Sequence, residues 1–426
     1  MTAVLCYYRD AVRSGNSSVA GVDTQRQIIL SLLRDNLTDD DLRRLNALGE
    51  SEWRGVLDAA QPQGLAPILS GRIQRHQIRA PRATQARLRD ELLNNTARNL
   101  QLLKHFEAVA GALQGQDLPF IPLKGVYLCS NLYENLGERT IWDIDLLVPE
   151  AELERALTLI ETTGYHSSRP YDLKQEVGNY HHVPAYVKAE APPLEVHWTL
   201  LNPRFQHQLD WQQLWERSVP ARVGAAIVQV LCPDDLVVYL CAHVAYQHMY
   251  IDSIRSLYDL KLVLKRFGPE LDWAAIAARA RAWGLLNSVY LTLHLTEELL
   301  GPVLPDLIWR MLRPADFKES LTQAAITRLL EGAKVSPVVN AVWTRRNLFR
   351  RSKGLWDRIA VPPSILAGRY GLPPNSRRVY LYYLVRAWDL IRIHGGNLLD
   401  LLVGGRSIEE GARRDSELVA YLNWWK

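Results

Sequence analysis

The stretch Trp142-Asp143-Ile144-Asp145-Leu146-Leu147-Val148 decides how this chain reads. It is short, apolar and preceded by turn residues, which predicts a buried strand. Side chains alternate along a strand, so Asp143, Asp145 and Leu147 fall on one face and Ile144, Leu146 and Val148 on the other. Two carboxylates on one face of an apolar strand lose hydration and repel each other. A divalent cation between them is the usual compensation. Asp-x-Asp pairs also arise in exposed loops, where water solvates both charges, but the apolar flanks favour the strand. The pattern is that of a metal-dependent enzyme.

Working outward toward the N-terminus, Pro119 to Leu123 reads as a short strand, followed by Lys124-Gly125 and a helix to about Tyr133. Glycine lets a backbone approach a phosphate, and a helix N-terminus offers unpaired amides to an anion. Lys124 adds a charge there. Gly137-Glu138-Arg139 then turns the chain into the aspartate strand, and Arg139 is placed to reach a phosphate or an aspartate. On the other side, Pro149, Glu150 and Glu152 suit a helix start, Leu153, Ala156, Leu157 and Ile160 form its stripe, and Gly164 ends it. Strand-like pieces follow at Tyr165 to Ser168, His182 to Lys188 and Leu194 to Trp198.

Within the last of these, Glu195 and His197 share a face. If that strand lies beside the aspartate strand, Glu195 joins Asp143 and Asp145 in one cluster. Three carboxylates suit two magnesium (or manganese) ions. One lowers the pKa of an attacking hydroxyl and the other holds a triphosphate and its leaving pyrophosphate.

The flanks read as helix. Residues up to about 115 include a helix over Asp23 to Arg34, Asp39-Asp40-Asp41 capping a segment to Leu48, and an amphipathic run from Ala83 to Leu113 with Leu88, Leu92, Leu100, Leu103, Phe106 and Val109 on its buried side. From about Pro203 the chain returns to helix through Pro233 to Phe267, Trp273 to Leu300 and Val379 to His394, with a loop at Pro362 to Ser376. The expected organisation is a helical region over 1–115, an α/β core over 116–220 and a second helical region over 221–426.

The chain has 426 residues, 48% hydrophobic and 23% charged, with a net charge of +4, an ordinary globular composition that points neither to nucleic acid nor away from it. Cys6, Cys129, Cys232 and Cys241 lie far apart with no Cys-x-x-Cys, which argues against structural zinc and for a reducing compartment. No run approaches about 18 consecutive apolar residues, and Met1 to Arg13 lacks a signal-peptide core. A cytoplasmic protein without a membrane span is the expectation.

The order strand, Lys124-Gly125, helix, Arg139, Asp143-Ile-Asp145, helix, Gly164-Tyr165, Glu195-Val-His197-Trp198 resembles the uncharacterised bacterial nucleotidyltransferase-like family of the DNA polymerase β-type superfamily. The resemblance is strongest over about 119 to 200 and extends to Pro233-Asp-Asp-Leu236, His243, His248 and Arg255-x-x-Tyr-Asp259. It implies an α+β fold with a polymerase β-like palm, a small mixed sheet with helices, flanked by helical regions. It implies Asp143, Asp145 and Glu195 as metal ligands and catalytic groups, with Lys124, Gly125 and Arg139 toward a nucleoside triphosphate. The implied activity moves a nucleoside monophosphate to an acceptor hydroxyl on a small molecule, peptide or protein. Two alternatives stand beside it: an Asp-x-Asp sugar-nucleotide glycosyltransferase, and a degenerate, non-catalytic binding module of the same fold. This chain departs from the superfamily in having Gly125-Val126 where Gly-Ser is usual, a longer interval from Gly125 to Asp143, and the bulky Trp142.

Other residues carry weaker signals. His197 reads as a core histidine bonded to backbone or as an aid to a metal-bound group. His243 and His248 lie about 140° apart on an α-helix, which suits packing or substrate contact better than a shared metal. Arg255 and Asp259 are spaced to pair with each other. Arg345 to Arg358 mixes basic and aromatic residues, as a nucleic-acid surface or an amphipathic helix would.

Overall fold

The structure is a computed structural model that describes residues 19–205, 209–251, 253–302, 304–331, 363, 366–367, 370, 376–389, 392 and 406–422. The basic segment 345–358 and most of the loop expected over 362–376 lie outside the described residues.

Among the described residues five α-helices precede the sheet: α1 (Val19–Leu33), α2 (Asp39–Asn46), α3 (Glu50–Ala60), α4 (Ala66–Arg75) and the 33-residue α5 (Arg82–Gln114). The cap of α2 is Thr38, whose hydroxyl accepts from Asp41 N, while the Asp41 carboxylate accepts from Thr38 N in return. On α5 the buried face carries Leu88, Leu102, Leu103, Phe106, Val109 and Leu113, but also Asn95 and Asn99. Leu100, expected on that face, is 54% exposed. The two asparagines take the place along the stripe that apolar residues were expected to fill.

The central sheet has the order β1-β2-β5-β4-β3, with β1 (Ile121–Pro122), β2 (Ile144–Leu147), β3 (His166–Ser167), β4 (Tyr186–Val187) and β5 (Leu194–His197). Strands β2 and β5 run parallel and every other pairing is antiparallel, so the sheet is mixed. Helix α6 (Gly125–Leu132) follows β1, and α7 (Leu153–Thr162) follows β2, ending beyond Thr163 at Gly164, which has φ 89°. Helix α8 (Leu173–Asn179) lies between β3 and β4. Ile144, Leu146, Leu194 and Val196, on the sheet face away from the carboxylates, are fully buried.

After α9 (Trp211–Glu216) comes a hairpin, β6 (Val219–Val223) and β7 (Ala226–Val230), where helix was expected from Pro203 onward. Its two-residue turn, Gly224-Ala225, has φ 60° at the glycine. The hairpin is fastened to the helices: Ala225 N donates to Glu107 Oε1 at 2.7 Å, Asn131 Nδ2 to Arg222 O at 3.0 Å and Gln114 Nε2 to Ile227 O at 2.7 Å. The period of two in Val219-x-Ala221-x-Val223 and Ala226-x-Val228-x-Val230 was its signal in the sequence.

Helices α10 (Pro233–Ala242), α11 (Ile254–Phe267), α12 (Trp273–Ala282), α13 (Leu286–Leu300), α14 (Asp306–Leu312) and α15 (Glu319–Glu331) follow, and a last helix spans Arg406–Tyr421. One continuous apolar cluster joins Ile28 in α1 to the sheet, α13 and Leu422. Among the described residues no helix is long and apolar enough to cross a membrane.

Candidate active site

The loop that delivers the aspartates is held from below by α5. Asn95 Nδ2 donates to Gly137 O at 2.6 Å, and Asn99 Nδ2 donates to Arg139 O at 2.7 Å. Buried carbonyls in a loop need such partners, and two amides one turn apart on a rigid helix supply them. Thr140 adds a bond from its hydroxyl to Gly64 O at 3.0 Å, and Arg255 donates to Thr140 O. The chain therefore enters β2 along a fixed path. The parallel register then sets Asp145 directly opposite Glu195, with Leu147 opposite His197. Asp143 precedes β2 by one residue, on the Asp145 side of the alternation.

Burial grades across the three carboxylates. Asp145 is 1% exposed, whereas Asp143 and Glu195 are half-buried. Burial, then the charge of Asp145, pushes the Asp143 carboxyl up against the pull of Lys124 and Arg255. Glu195 is pushed up to about 8, first by burial, then by Asp145 and Asp143. The two carboxylates that reach solvent thus resist ionising beside the third.

The oxygens of Asp145 face different groups. Oδ1 lies 3.1 Å from His197 Nε2. Oδ2 accepts no well-formed hydrogen bond, and Lys124 Nζ is 3.3 Å away. His197 Nε2 is also 3.7 Å from Glu195 Oε2, so the imidazole sits between the two carboxylates. This replaces the backbone-bonded histidine expected from sequence: His197 Nδ1 is buried with no partner. Burial first, then His182 and Lys124, holds the His197 ring well below its ordinary pKa and so neutral.

Lys124 caps α6 with φ 31° and ψ −97°, backbone values that non-glycine residues rarely adopt. Burial works against its charge, but Asp145 chiefly, helped by Tyr239 and Asp143, raises the ammonium above its usual range. On its far side Nζ meets His243 Nε2 at 3.0 Å. His243 begins a π-helical turn, His243–Gln247, that continues α10. The wider turn lets His248 N donate to His243 O, and it brings the two rings within 4.8 Å of each other. Sequence reasoning at 100° per residue placed them on separate faces, and the π-turn overturns that.

Gly125 is tightly packed. A Cβ there would lie 3.1 Å from Ile141 Cγ2 and 3.8 Å from Arg139 Nη1. Arg139 itself is buried and donates Nε and Nη2 to the two oxygens of Asp259, each at 2.8 Å, while Tyr133 Oη donates to Oδ1 at 2.7 Å. That fork was expected to reach a phosphate or an aspartate; the aspartate it reaches is Asp259, and the pair holds α11 against the loop before β2. Asp259 was expected to pair with Arg255, but Arg139 and Tyr133 take it. At the rim, the Arg98 guanidinium stacks 4.6 Å over the ring of Trp142, which is 43% exposed.

The donors fit a divalent cation. Asp145, Glu195 and His197 each offer one atom, all within 4.8 Å of one another, a spacing that ligands of one ion can close. Neither neutral tautomer of His197 pairs both ring nitrogens. With its proton on Nε2 the buried Nδ1 lone pair is orphaned, and with it on Nδ1 the Nε2 lone pair faces two carboxylates. A separate cavity of about 310 Å³, lined by Trp198, Leu201, Asn202 and Trp211 among others, shares no residue with this cluster. His197 and His182 were the functional candidates that sequence reasoning missed or set aside. Their signal was the Glu-x-His alternation on β5 and the His181-His182 pair ahead of β4.

A family model described as an uncharacterised nucleotidyltransferase matches residues 49–301, more than half of the chain. No curated protein and no solved structure matches it.

Proposed function

The chain belongs to that nucleotidyltransferase family, and on this premise we propose that it moves a nucleoside monophosphate from a nucleoside triphosphate onto an acceptor hydroxyl. The observation that carries the reading is the register of β2 and β5, which sets buried Asp145 against Glu195 with Asp143 two residues away on the same face. We read the sheet and its flanking helices as a polymerase β-like palm, with helical regions before residue 116 and after 220 shaping the acceptor side. The hairpin straddles the second of these borders, which supports placing that border after it.

Asp143, Asp145 and Glu195 would hold magnesium or manganese. When bound, the metal neutralises phosphate charge and makes the acceptor hydroxyl more acidic. Burial and the two aspartates push Glu195 up to about 8 in the metal-free chain; a bound cation would favour its ionised form, the form able to take the hydroxyl proton. Glycine at the start of α6 would let a phosphate approach the backbone amides there. Lys124 supplies the positive charge that a superfamily serine would replace with a hydroxyl. Arg139 serves as a positioning residue through Asp259 rather than as a phosphate ligand.

Incubation with each labelled nucleoside triphosphate, a divalent metal and cell extract tests the proposal. Label should pass to an acceptor with the wild-type chain and stay in the triphosphate with Asp143→Asn, Asp145→Asn or Glu195→Gln. Full transfer by a correctly folded Asp145→Asn chain would remove the reading.

A further inference from the structure

Histidines crowd the carboxylate cluster. The rings of His181, His182 and His197 have centroids 4.5 to 5.3 Å apart, all on the Glu195 side. The extended segment before β4 brings His182 beside His197, to which it is bridged. His182 Nδ1 lies 2.7 Å from Val183 O. A carbonyl accepts only, so Nδ1 carries the proton and Nε2 is left as a bare lone pair. That lone pair faces Glu195 Oε2 at 3.9 Å, and His197 Nε2 faces the same oxygen at 3.7 Å and Asp145 Oδ1 at 3.1 Å. Two imidazole nitrogens and two carboxylate oxygens thus converge, and His197 lies in the middle.

We infer that His197 is itself a ligand of the bound metal, so that the site takes a first-row transition ion in preference to magnesium. This rests on the nucleotidyl-transfer reading for the metal's purpose and goes beyond it in the ligand set. Carboxylate oxygens alone serve magnesium well, whereas imidazole nitrogen adds affinity for transition ions and almost none for magnesium. Asp145 Oδ1, Glu195 Oε2 and His197 Nε2 form the mixed set. Asp145 Oδ2 stays with Lys124, and His182, more exposed, stands behind as the outer partner of Glu195. A cation at Nε2 would take up the lone pair that otherwise faces Asp145 Oδ1 and Glu195 Oε2, with the ring proton on Nδ1.

Manganese(II) added to the full chain, read by electron paramagnetic resonance, tests this without any turnover. The wild-type complex should show nitrogen-14 coupling from a directly bound imidazole, and magnesium should displace manganese only at about tenfold or greater excess. His197→Gln should lose the coupling and about tenfold in manganese affinity while magnesium binding stays within roughly twofold. Because His197 is buried, His182→Gln is the second variant: it should keep the coupling. A wild-type spectrum with oxygen ligands only, or loss of coupling in His182→Gln, overturns the assignment to His197. Nucleotidyl transfer with an all-oxygen manganese site would sink this inference and leave the proposed function standing. A nitrogen-bound manganese with no transfer to any acceptor would do the reverse.

Discussion

Two cation–aspartate pairs flank the start of α6, and they are built to different standards. Arg139 and Asp259 make a closed unit: two parallel bonds of 2.8 Å, with Tyr133 filling a remaining acceptor position. Both side chains are almost wholly buried, and the pair ties α11 to the loop before β2. Lys124 and Asp145 make an open unit. Their contact is 3.3 Å, Oδ2 accepts no well-formed hydrogen bond, and the lysine backbone is held at φ 31°. A planar guanidinium matches a carboxylate with two bonds, while an ammonium is a point charge that leaves the second oxygen for something else. The closed pair holds the loop in place, and the open pair leaves capacity for a ligand.

The sharpest way to break this contrast is Asp145→Asn. Transfer should fall below detection while the metal-free chain keeps its fold and loses little stability, because removing one charge relieves repulsion with Asp143 and Glu195. Circular dichroism and urea unfolding, run beside the labelling assay, would show it; a chain that unfolds instead would mean that the open pair is structural after all. The mirror experiment is Asp259→Ala, which strands a buried guanidinium and should cost about 3–5 kcal/mol, read as a drop in the urea midpoint. An unchanged midpoint would deny Asp259 its role as a clamp.

Gly125→Ala asks whether the two pairs are mechanically linked, since its new methyl presses on Ile141 beside Arg139. Overpacking of about 1–3 kcal/mol is expected, together with a rise in the nucleotide KM; destabilisation without any change in KM would separate the two units. Lys124→Gln removes the competing ammonium. Metal affinity in calorimetry should tighten roughly tenfold, the worth of about one pKa unit, and triphosphate affinity should weaken. Weaker metal binding would show that the lysine supports the site instead of sharing it.

The smallest effect is a slope with pH. Glu195 keeps its proton up to about 8 in the folded metal-free chain but releases it near its ordinary 4.5 when unfolded. Folding therefore takes up a proton in that window, and stability falls as pH rises through it. Buried His197 and His243 act in the opposite sense, but only below their ordinary 6.5. Between about 6.5 and 8 the melting temperature of metal-free protein should decline, and saturating manganese should flatten the decline. A rising metal-free curve in that window would contradict the assignment of a protonated Glu195.

Particular residues show how far the chain could be read in advance. Asp143, Asp145 and Glu195 were legible because strand alternation is local and two apolar strands around a charge are conspicuous. Lys124-Gly125 before a helix was legible for the same reason. The partner of Arg139 was not: Asp259 lies 120 residues away, and spacing offered the nearer Arg255. The pairing of His243 with His248 stayed hidden because a π-turn breaks the period on which helical reasoning depends. Asn95 and Asn99 looked like interruptions of an apolar stripe, yet they hold the loop that aims the aspartates.

The order of residues alone determined which segments alternate and which coil, and so placed an acidic pair on one face of a strand, because those periods arise from backbone sterics within a few residues. Only the tertiary structure decided that Glu195 stands opposite Asp145, that His197 enters between them, and that one arginine is closed off while one lysine is left open. Those outcomes depend on strand order, burial and long-range hydrogen bonds, which no window of neighbouring residues contains.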